Sequence, residues 1–463
     1  MCNTRPFFVY NADMKLLENY AYALVAVLLV AFLTVGTYVR TVELSKLNPI
    51  QDDEESWIIS GVSLLENGYP ESWTAFWNTY GTYHWSYLGG KERVVVRPYL
   101  DHPPGFQLLI GGWAVVTGND TESSFNWSVL RVPMIFLALL TIFFTTLFVY
   151  KMFSRYWAVL TFLSFVVLPT HIIATRMIAA EHLIVLLMVI TLYVLALYSH
   201  LEKKVKRHTP WLLVVLCITA FCAPLIKLSG SIVALIAIIY FLISSNYKAA
   251  ISILVAATAG VGMYIAYGCY FDCNLFWSVM QQHGTRAQTF WYFFSLLGKP
   301  DIGYTELSDP FFVIGLVGSF SALFATDISE STKNILRSIW FASMFLFLIL
   351  APVELYGWYK YILFPLIAIG CGYVWLSFIK GSYMWSIFLI PAVLLLLENL
   401  FIGGQYDSVI RKLLIAAFTI PVFIWIIKPA WSKKVMYRYW AFSILFIALS
   451  IQLLWSFQIV FTG

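Results

Sequence analysis

The chain has 463 residues, of which 60% are hydrophobic and only 11% carry charge. Soluble domains average about 45–50% apolar and about 25% charged residues, so this chain lacks the polar residues to coat an aqueous core. Disorder needs the opposite balance and is excluded as well. A net charge of +5 is too small for a nucleic-acid-binding surface, so no nucleic-acid partner is expected. The composition therefore indicates a polytopic membrane protein.

About thirteen apolar runs have roughly the length that crosses a hydrocarbon layer of about 30 Å. The first is too long for the apolar region of a signal peptide, and no small-residue cleavage site follows it, which predicts a retained anchor. We therefore predict an all-α bundle of about 13 transmembrane helices. The runs are 19–40, 129–150, 156–174, 182–200, 210–225, 229–244, 249–270, 310–326, 338–353, 360–378, 383–398, 410–427 and 440–461.

Basic residues give the orientation of the predicted spans. With a cytoplasmic amino terminus, the two densest clusters of Lys and Arg, at 203–207 and 428–438, both fall in short inner loops. Short basic loops are retained on the cytoplasmic side of a membrane. The sequence thus predicts a multi-pass protein of the inner or plasma membrane with its amino terminus inside.

The first outer loop, 42–128, differs from the other loops in length and composition. Its part 42–103 is polar and rich in aromatic residues, which favours a belt at the membrane surface over a sugar-binding platform. Segment 56–65 carries apolar residues at helical spacing, and segment 105–116 is apolar but too short to span the membrane. Both segments are predicted to be juxtamembrane helices.

Two of the six cysteines, Cys269 and Cys273, lie beside Asp272 at the end of a predicted span. The other cysteines lie mostly inside apolar runs and do not form the framework of a secreted disulfide-rich domain. A disulfide between Cys269 and Cys273 is one reading, but we favour two packed thiols.

Ionisable residues adjoin or interrupt the apolar runs at one face of the predicted bundle. A charged side chain deep in a span costs about 2.5–3.5 kcal/mol on insertion scales, so such residues are rare without a role. In the predicted topology all of them lie on or near the outer face, which predicts one polar cavity at the outer leaflet. They are Asp52, Asp53, Glu54, Glu55, Asp101, His102, Arg131, Arg176, Glu181, His182, Lys227, His283, Arg286, Glu354 and Lys360.

The acidic residues of this group have two readings each. Carboxylates in the run 52–55 can complement a helix dipole, or one of them can act as a general base toward a substrate hydroxyl. Because adjacent helical positions point about 100° apart, at most one or two of the four can serve as base. Asp101 and His102 precede Pro103, so their side chains are expected to point to opposite sides of an extended segment. A carboxylate or imidazole held there can bind a divalent metal or substrate hydroxyls, and the same residues can simply begin a helix.

The cationic residues favour an anion site. Lys227 stands between two short apolar runs, where its ammonium can bind an anion or snorkel to the surface. His283 and Arg286 are three residues apart, hence on one face of a helix if that segment is helical, and this pair suits a phosphate. The sequence contains no motif for nucleotide binding, so the chemistry is not expected to use a nucleotide.

A series of short motifs runs along the chain in a recognisable order. They are Asp53-Glu54-Glu55-Ser56-Trp57, Leu65-Glu66-Asn67-Gly68-Tyr69, Tyr99-Leu100-Asp101-His102-Pro103-Pro104, Leu130-Arg131-Val132-Pro133, Arg176 with Glu181, Ile226-Lys227-Leu228-Ser229-Gly230, His283-Gly284-Thr285-Arg286 and Tyr361-Ile362-Leu363-Phe364-Pro365. From about residue 15 to 380, this series resembles the GT-C glycosyltransferases of the aminoarabinose-transferase and protein O-mannosyltransferase type. Each motif is weak alone, but their order and topology together are specific.

The resemblance implies a multi-span helical bundle with juxtamembrane helices in the first outer loop. It further implies transfer of a sugar from a polyprenyl-phosphate-linked donor at the outer face. Carried over by position, it assigns catalytic roles to Asp53, Asp101 and Glu181, with Asp52 as a rival register for the base. The only cofactor considered is a divalent metal ion, bound by Asp101 or Glu181.

The resemblance also assigns residues that bind substrate. Lys227, His283 and Arg286 match positions that bind the donor phosphate. Further positions are expected to contact substrate or support the site. These are Glu54, His102, Arg131, Arg176, His182 and Tyr361.

The expected organisation is a catalytic transmembrane region, 1–380, followed by carboxyl-terminal helices, 381–463. Aminoarabinose transferases carry a larger soluble outer domain after the last span, whereas this chain ends almost at the membrane with Gly463. The sequence therefore does not decide between a glycolipid, an O-antigen or other polysaccharide, and a protein as the acceptor. Membrane lipids are expected to surround the chain as further partners.

Two other functions compete with glycosyl transfer. A transporter or flippase for a lipid-linked sugar predicts two related halves with interrupted spans and charges near the midplane, and the sequence shows no such repeat. An O-antigen ligase or polymerase usually has its large outer loop late in the chain, whereas the large loop here is early. We therefore favour a glycosyltransferase.

Overall fold

The computed structural model describes residues 12–46, 52–88, 91–204, 210–285, 309–326, 328–350, 357–382, 389 and 435–462. Most of this part is helical. The α-helices are α1 (Ala12–Thr41), α2 (Asp52–Asn67), α3 (Trp77–Tyr80), α4 (Pro104–Val116), α5 (Trp127–Leu130), α6 (Val132–Met152), α7 (Arg155–Val167), α8 (Pro169–Ala174), α9 (Glu181–Lys204), α10 (Pro210–Ile226), α11 (Ser231–Ile243), α12 (Tyr247–Gly284), α13 (Pro310–Ser321), α14 (Glu330–Leu350), α15 (Phe364–Ile379) and α16 (Val435–Thr462). Short 3-10 helices lie at Glu122–Ser124, Leu228–Gly230, Ala322–Phe324 and Gly357–Leu363.

Each predicted span that falls on described residues contains a helix, so the protein is an all-α membrane-embedded bundle with one small sheet. Five helical segments are long and apolar enough to cross a membrane, and several shorter apolar helices accompany them. The five segments are Trp127–Met152, Glu181–Leu201, Tyr247–Gly284, Lys360–Ile379 and Tyr437–Val460. The predicted spans 383–398 and 410–427 lie outside the described residues, so the number of thirteen stays a prediction.

One predicted span is wrong in its continuity. The run 156–174 forms two helices, α7 and α8, that are separated at Leu168. Leu168 precedes Pro169 and adopts an extended conformation (φ −62°, ψ 111°). Proline disfavours a helical conformation in the residue before it, so the chain turns at this point and starts a new helix with Pro169.

The expectation of two packed thiols at Cys269 and Cys273 is also wrong, because the two residues form a disulfide. Both lie in α12, which is interrupted at Asp272, where the backbone is extended (φ −164°, ψ 104°). The Asp272 carboxylate accepts a hydrogen bond from the Leu275 amide (2.9 Å) and so caps the second part of the helix. A helical spacing alone does not foresee this interruption, which places the two cysteines side by side.

The first outer loop contains both predicted juxtamembrane helices, α2 and α4, which pack against each other through glycine. A Cβ atom on Gly61 would lie 2.0 Å from the carbonyl oxygen of Gln107, and one on Gly111 would lie 2.3 Å from the carbonyl carbon of Gly61. The backbones therefore touch directly, which only glycine permits. Beside this contact, the Ser60 hydroxyl donates to Oε1 of Gln107 (2.8 Å).

The same loop holds a three-stranded antiparallel sheet that the sequence analysis does not predict. Its strands β1 (Ser72–Trp73), β2 (Tyr83–Leu88) and β3 (Lys91–Val96) are arranged in the order β1-β3-β2. The central strand β3 buries Val94, Val95 and Val96. The sequence did not predict β2 as a strand, because its aromatic residues are equally typical of a belt at the membrane surface.

Candidate active site

Many of the residues singled out in the sequence that fall on described positions meet at one end of the helical bundle, which we call the site end. Five segments converge there. They are the start of α2, the extended corner 99–104, the segment 174–182 between α8 and α9, Lys227 between α10 and α11, and the end of α12 at His283. Rings and side chains from different segments contact one another directly.

Glu54 and Arg131 form an ion pair that is buried from solvent, which we call the sealed pair, and it joins the first loop to the start of α6. Nε and Nη2 of Arg131 donate to the two carboxylate oxygens of Glu54 at 2.9 and 2.7 Å. The same carboxylate accepts from the amide of Ile178 (2.9 Å), and Nη1 of Arg131 donates to the carbonyl of Leu44 (2.9 Å). Both side chains are almost completely buried. Their contacts support the site by fastening α2 to the segment 174–182.

Arg176 binds the carboxyl-terminal end of α1. Its guanidinium donates to the carbonyls of Val39, Val42 and Glu43 at 2.8–2.9 Å. The Val39 carbonyl belongs to the last turn of α1 and the other two follow it, so the cation lies at the negative end of the helix dipole and complements it. Burial lowers the pKa of Arg176 to about 10, which still leaves it charged at neutral pH. Arg176 thus fixes the backbone at the point where α1 ends and the first loop begins.

Asp101 accepts two short hydrogen bonds from hydroxyl groups. Thr74 donates to one carboxylate oxygen and Tyr80 to the other, and the Tyr80 hydroxyl itself accepts from the amide of Leu100 (3.0 Å). Burial and, after it, the nearby Asp101 charge raise the pKa of Tyr80, so its hydroxyl stays protonated and remains a donor. Asp101 is buried and held in one orientation by the sheet and α3.

His102 lies among aromatic rings and contacts other residues than the hydroxyls that bind Asp101. Its ring stacks on Trp57 of α2, with centroids 4.5 Å apart and planes 18° from parallel. The ring of His283 lies 5.9 Å from that of His102 and 4.8 Å from that of Phe76. The structure thus brings His102 and His283, which are far apart in sequence, to the same place. Arg286 lies outside the described residues.

Asp53 is exposed, unlike the two glutamates that follow it in the acidic run. Glu54 and Glu55 are buried, Asp53 is exposed, and the side chain of Asp52 lies outside the described part of the chain. Burial raises the pKa of Tyr99, and the charges of Asp101 and Asp53 raise it further, whereas a hydrogen bond with Ser56 lowers it. Asp53 therefore lies in the electrostatic neighbourhood of the Tyr99 phenol. On α2 it stands one helical turn before Trp57, on the same face.

Glu181 and Lys227 form a second ion pair, with Nζ of Lys227 2.6 Å from the Glu181 carboxylate. The Lys227 side chain is 16% exposed and that of Glu181 is 4% exposed. A Cβ atom on Gly105 would lie 2.6 Å from the carbonyl oxygen of Leu225. The corner that carries Asp101 therefore packs directly against the turn that carries Lys227.

His182 and Tyr361 support the segment before α9. His182 Nε2 and the Tyr361 hydroxyl each lie 3.1 Å from the carbonyl oxygen of Ala174. The two rings are 4.7 Å apart. Both side chains are buried. These contacts fix the backbone from which Glu181 projects.

The structure offers little for the metal ion predicted on Asp101 or Glu181. Asp101 accepts from two hydroxyls, and Glu181 binds Lys227. Within the described ranges, no group of three His, Cys, Asp or Glu side chains is arranged to hold a metal ion. These contacts do not fit a metal site, and the chemistry below contains no step through a metal.

Sequence reasoning missed Thr74, Tyr80 and Asp309. Thr74 and Tyr80 reach Asp101 only because the sheet folds back over the corner, so no local pattern marks them. Asp309 caps α13, where it accepts from the Thr170 hydroxyl (2.9 Å) and from the Phe311 amide (3.0 Å). Its position directly before Pro310 was a readable signal for a helix N-cap.

Comparison of the sequence with protein-family models and with curated proteins finds no match. Comparison of the structure with solved structures does find similar folds. The crystal structure of ArnT from Cupriavidus metallidurans bound to undecaprenyl phosphate aligns with a TM-score of 0.59 at 14% identity, covering 93% of this chain and 77% of that chain. The same enzyme in the apo state gives a TM-score of 0.57 at 15% identity, over 95% of this chain and 78% of that chain.

An archaeal structure has a related fold. The oligosaccharyltransferase AglB from Archaeoglobus fulgidus, in complex with an inhibitory peptide and a dolichol-phosphate, aligns with a TM-score of 0.50 at 13% identity. The alignment covers 88% of this chain and 55% of that chain. ArnT, an aminoarabinose transferase, and AglB are GT-C superfamily members. The fold of this chain is accordingly the GT-C membrane fold, as the motif order predicts. Within that class, the structures similar to it include the aminoarabinose transferase.

Proposed function

We propose that this protein is a glycosyltransferase that uses a polyprenyl-phosphate-linked sugar as donor. The observation that carries the proposal is the exposed Asp53 on the same helix face as Trp57, which stacks on His102 beside His283. An exposed carboxylate therefore lies one helical turn from a tryptophan that stacks on an imidazole, at one end of a membrane bundle. Support comes from the shared fold, because ArnT with this fold was crystallised with undecaprenyl phosphate and AglB with a dolichol-phosphate.

In the proposed reaction, Asp53 acts as the general base. It accepts the proton of an acceptor hydroxyl while the hydroxyl oxygen forms a bond to the anomeric carbon of the sugar. The bond from that carbon to the phosphate oxygen breaks, and its electron pair leaves with the lipid phosphate. Among the described carboxylates of the run, Glu54 and Glu55 are buried and Glu54 binds Arg131, whereas Asp53 is exposed and can be reached by an acceptor hydroxyl.

Cations stabilise the leaving phosphate in this proposal. Lys227, His283 and Arg286 are the proposed ligands, because charge-assisted hydrogen bonds to a phosphate oxygen strengthen as negative charge develops there. Lys227 is reached by solvent, so a donor phosphate can share its ammonium with Glu181. Asp101, held by Thr74 and Tyr80, is proposed to position substrate hydroxyls.

The proposed active site faces the outer side of a plasma or inner membrane, with the amino terminus in the cytoplasm. The proposed catalytic region comprises 1–380, and 381–463 is the proposed carboxyl-terminal transmembrane region. The acceptor is a glycolipid, a polysaccharide or a protein. These assignments follow from the distribution of basic residues and from the position of the early loop.

The proposal is tested with purified protein and radiolabelled polyprenyl-phosphate-sugar. We expect Asp53→Asn to reduce turnover by about 10²–10⁴, the usual contribution of a positioned general base, with unchanged donor affinity. Glu66→Gln is the matched control, since Glu66 is an exposed carboxylate near the opposite end of α2, and it should keep wild-type turnover.

Two results would contradict this assignment. If the wild-type protein leaves the label on the polyprenyl lipid with glycolipid, polysaccharide and protein acceptors, the transferase proposal fails. If Asp53→Asn turns over normally while Asp52→Asn is inactive, the base is one residue earlier in α2.

A further inference from the structure

An apolar groove of about 640 Å³ runs between α1, α6 and α7. Buried Ile142 and Ala158 lie on its floor, and exposed Val30 and Phe143 line it as well. No residue of the candidate active site is among the described residues that line the groove. Because its walls are apolar and its rim is exposed in the described part of the bundle, the groove suits a hydrocarbon chain.

One end of this groove is polar. Thr146, Tyr150 and Arg155 line it there, close to the turn between α6 and α7. Helix α6 has 21 residues and begins after Arg131 at the site end, so this turn lies about 30 Å away, roughly the thickness of a hydrocarbon layer. The polar end of the groove is therefore at the opposite membrane surface from the candidate active site.

The side chain of Arg155 contacts the aromatic ring of the next residue, Tyr156. Its guanidinium donates to the hydroxyl of Tyr156 (2.9 Å) and lies 4.9 Å from the centre of that ring. A guanidinium carries five N–H donors in a planar fork that matches a phosphate group. Lys151, in the last turn of α6, adds a second cation beside the same turn.

We propose that the groove binds an anionic phospholipid of the leaflet opposite the candidate active site. One acyl chain lies over Ile142 and Ala158, and the phosphate binds Arg155. Charge complementarity supports this occupant, because the groove is apolar along its length and cationic at its end. No carboxylate is among the described residues that line it. A phospholipid has the same order of apolar and anionic parts.

The test is native mass spectrometry of the purified full-length chain, titrated with phosphatidylglycerol and with phosphatidylcholine. We expect the wild-type protein to bind phosphatidylglycerol at least tenfold more tightly. Arg155→Ala should weaken phosphatidylglycerol binding by about tenfold or more, because a charge-assisted hydrogen bond is lost, while Arg155→Lys keeps most of the preference. Arg438→Ala, an exposed cation in the first turns of α16 outside the groove, is the matched control and should bind like the wild type.

A second variant tests the apolar part of the site. Val159→Trp fills the groove and should weaken binding of both phospholipids, with an unchanged unfolding midpoint. The proposal is overturned if Arg155→Ala keeps the wild-type preference, if Arg438→Ala loses as much, or if Val159→Trp binds both lipids normally. Displacement of bound phosphatidylglycerol by millimolar inorganic phosphate would also overturn it, because the site would then bind the anion rather than the lipid.

Discussion

Two ion pairs at the site end are built differently: Glu54 and Arg131 join the first loop to α6, and Glu181 and Lys227 join α9 to the turn after α10. Glu54 and Arg131 share two hydrogen bonds, and a backbone amide from Ile178 completes the coordination of the carboxylate. Glu181 and Lys227 share one contact of 2.6 Å, and the lysine remains partly exposed.

The difference indicates two kinds of role. A bidentate pair with every oxygen satisfied has nothing to offer a substrate, so its contribution is to hold α2 against the segment 174–182. An ammonium has three donors, and that of Lys227 remains partly exposed, so it can also donate to another anion. Arg131 and Lys227 look alike in sequence, because each is a cation beside an apolar run. In the structure Arg131 has a structural role, whereas Lys227 is a candidate ligand-binding residue.

The largest expected effect comes from breaking the sealed pair. Arg131→Met leaves the Glu54 charge buried without its cation, which should lower the free energy of unfolding by about 3–5 kcal/mol. Unfolding of the detergent-solubilised protein, followed by circular dichroism, measures the loss. The double variant Glu54→Leu with Arg131→Met should recover part of it, because no uncompensated charge remains. If the single and double variants lose the same free energy of unfolding, an uncompensated Glu54 charge is not the cause of the loss.

The open pair should affect binding more than folding. Lys227→Met removes one charge-assisted contact and should weaken binding of a polyprenyl phosphate by about 1.5–3 kcal/mol, measured by isothermal titration calorimetry. Its unfolding midpoint should fall less than that of Arg131→Met. Lys46→Met removes an exposed lysine that pairs with Glu43 and serves as the control. Unchanged affinity of the Lys227→Met protein would return this residue to a structural role.

A third acid extends the comparison, since Asp309 is buried and, within the described chain, accepts hydrogen bonds from Thr170 and Phe311. Burial raises the pKa of Asp309 from 3.8 to about 6. The folded protein thus binds more protons than the unfolded chain between these values, so stability from this group falls as the pH rises from about 4 to about 6, by at most about 1.4 kcal/mol per pH unit.

Asp309→Asn should remove this dependence. Thermal unfolding of the wild-type and variant proteins at pH 4, 5 and 6 measures it, and the wild-type midpoint should decline relative to the variant. Parallel midpoints across this range would show that Asp309 does not titrate there.

The smallest effect is expected at a pair far from the site whose carboxylate is exposed. Lys333 lies 3.1 Å from Glu330 in the first turn of α14, and Glu330 is largely exposed. Exposed ion pairs contribute little to stability because solvent screens them. Lys333→Ala should leave the unfolding midpoint unchanged within error, and a decline like that of Arg131→Met would remove the distinction between sealed and exposed pairs.

Local patterns predicted the helices around the site. The spacing of apolar residues in 56–65 and the two prolines after His102 marked α2 and the start of α4. The side chains of Asp101 and His102 contact different residues, Tyr80 and Trp57, and their predicted opposite orientation stays a prediction. Steric rules that act within a few residues are readable from the sequence.

Contacts between distant residues were not readable. Nothing near Asp101 indicates that Tyr80 and Thr74 would bind it, because the sheet brings these residues together only in the folded loop. Likewise, the partners of Glu54 and Lys227 are 77 and 46 residues away in the chain. The motif order predicted the GT-C fold, whereas the choice between sealed and open ion pairs depends on packing that no single motif contains.

The glycine contact between α2 and α4 has a consequence for how the loop can respond to substrates. Asp53 lies in the first turn of α2, and Asp101 lies just before α4 begins. With backbone against backbone at Gly61 and Gly111, the two helices have no room to shift against each other at this crossing. A displacement of the loop on substrate binding would therefore carry both carboxylates together as a rigid body, at a constant separation, and adjust their distance to Lys227 and His283 instead.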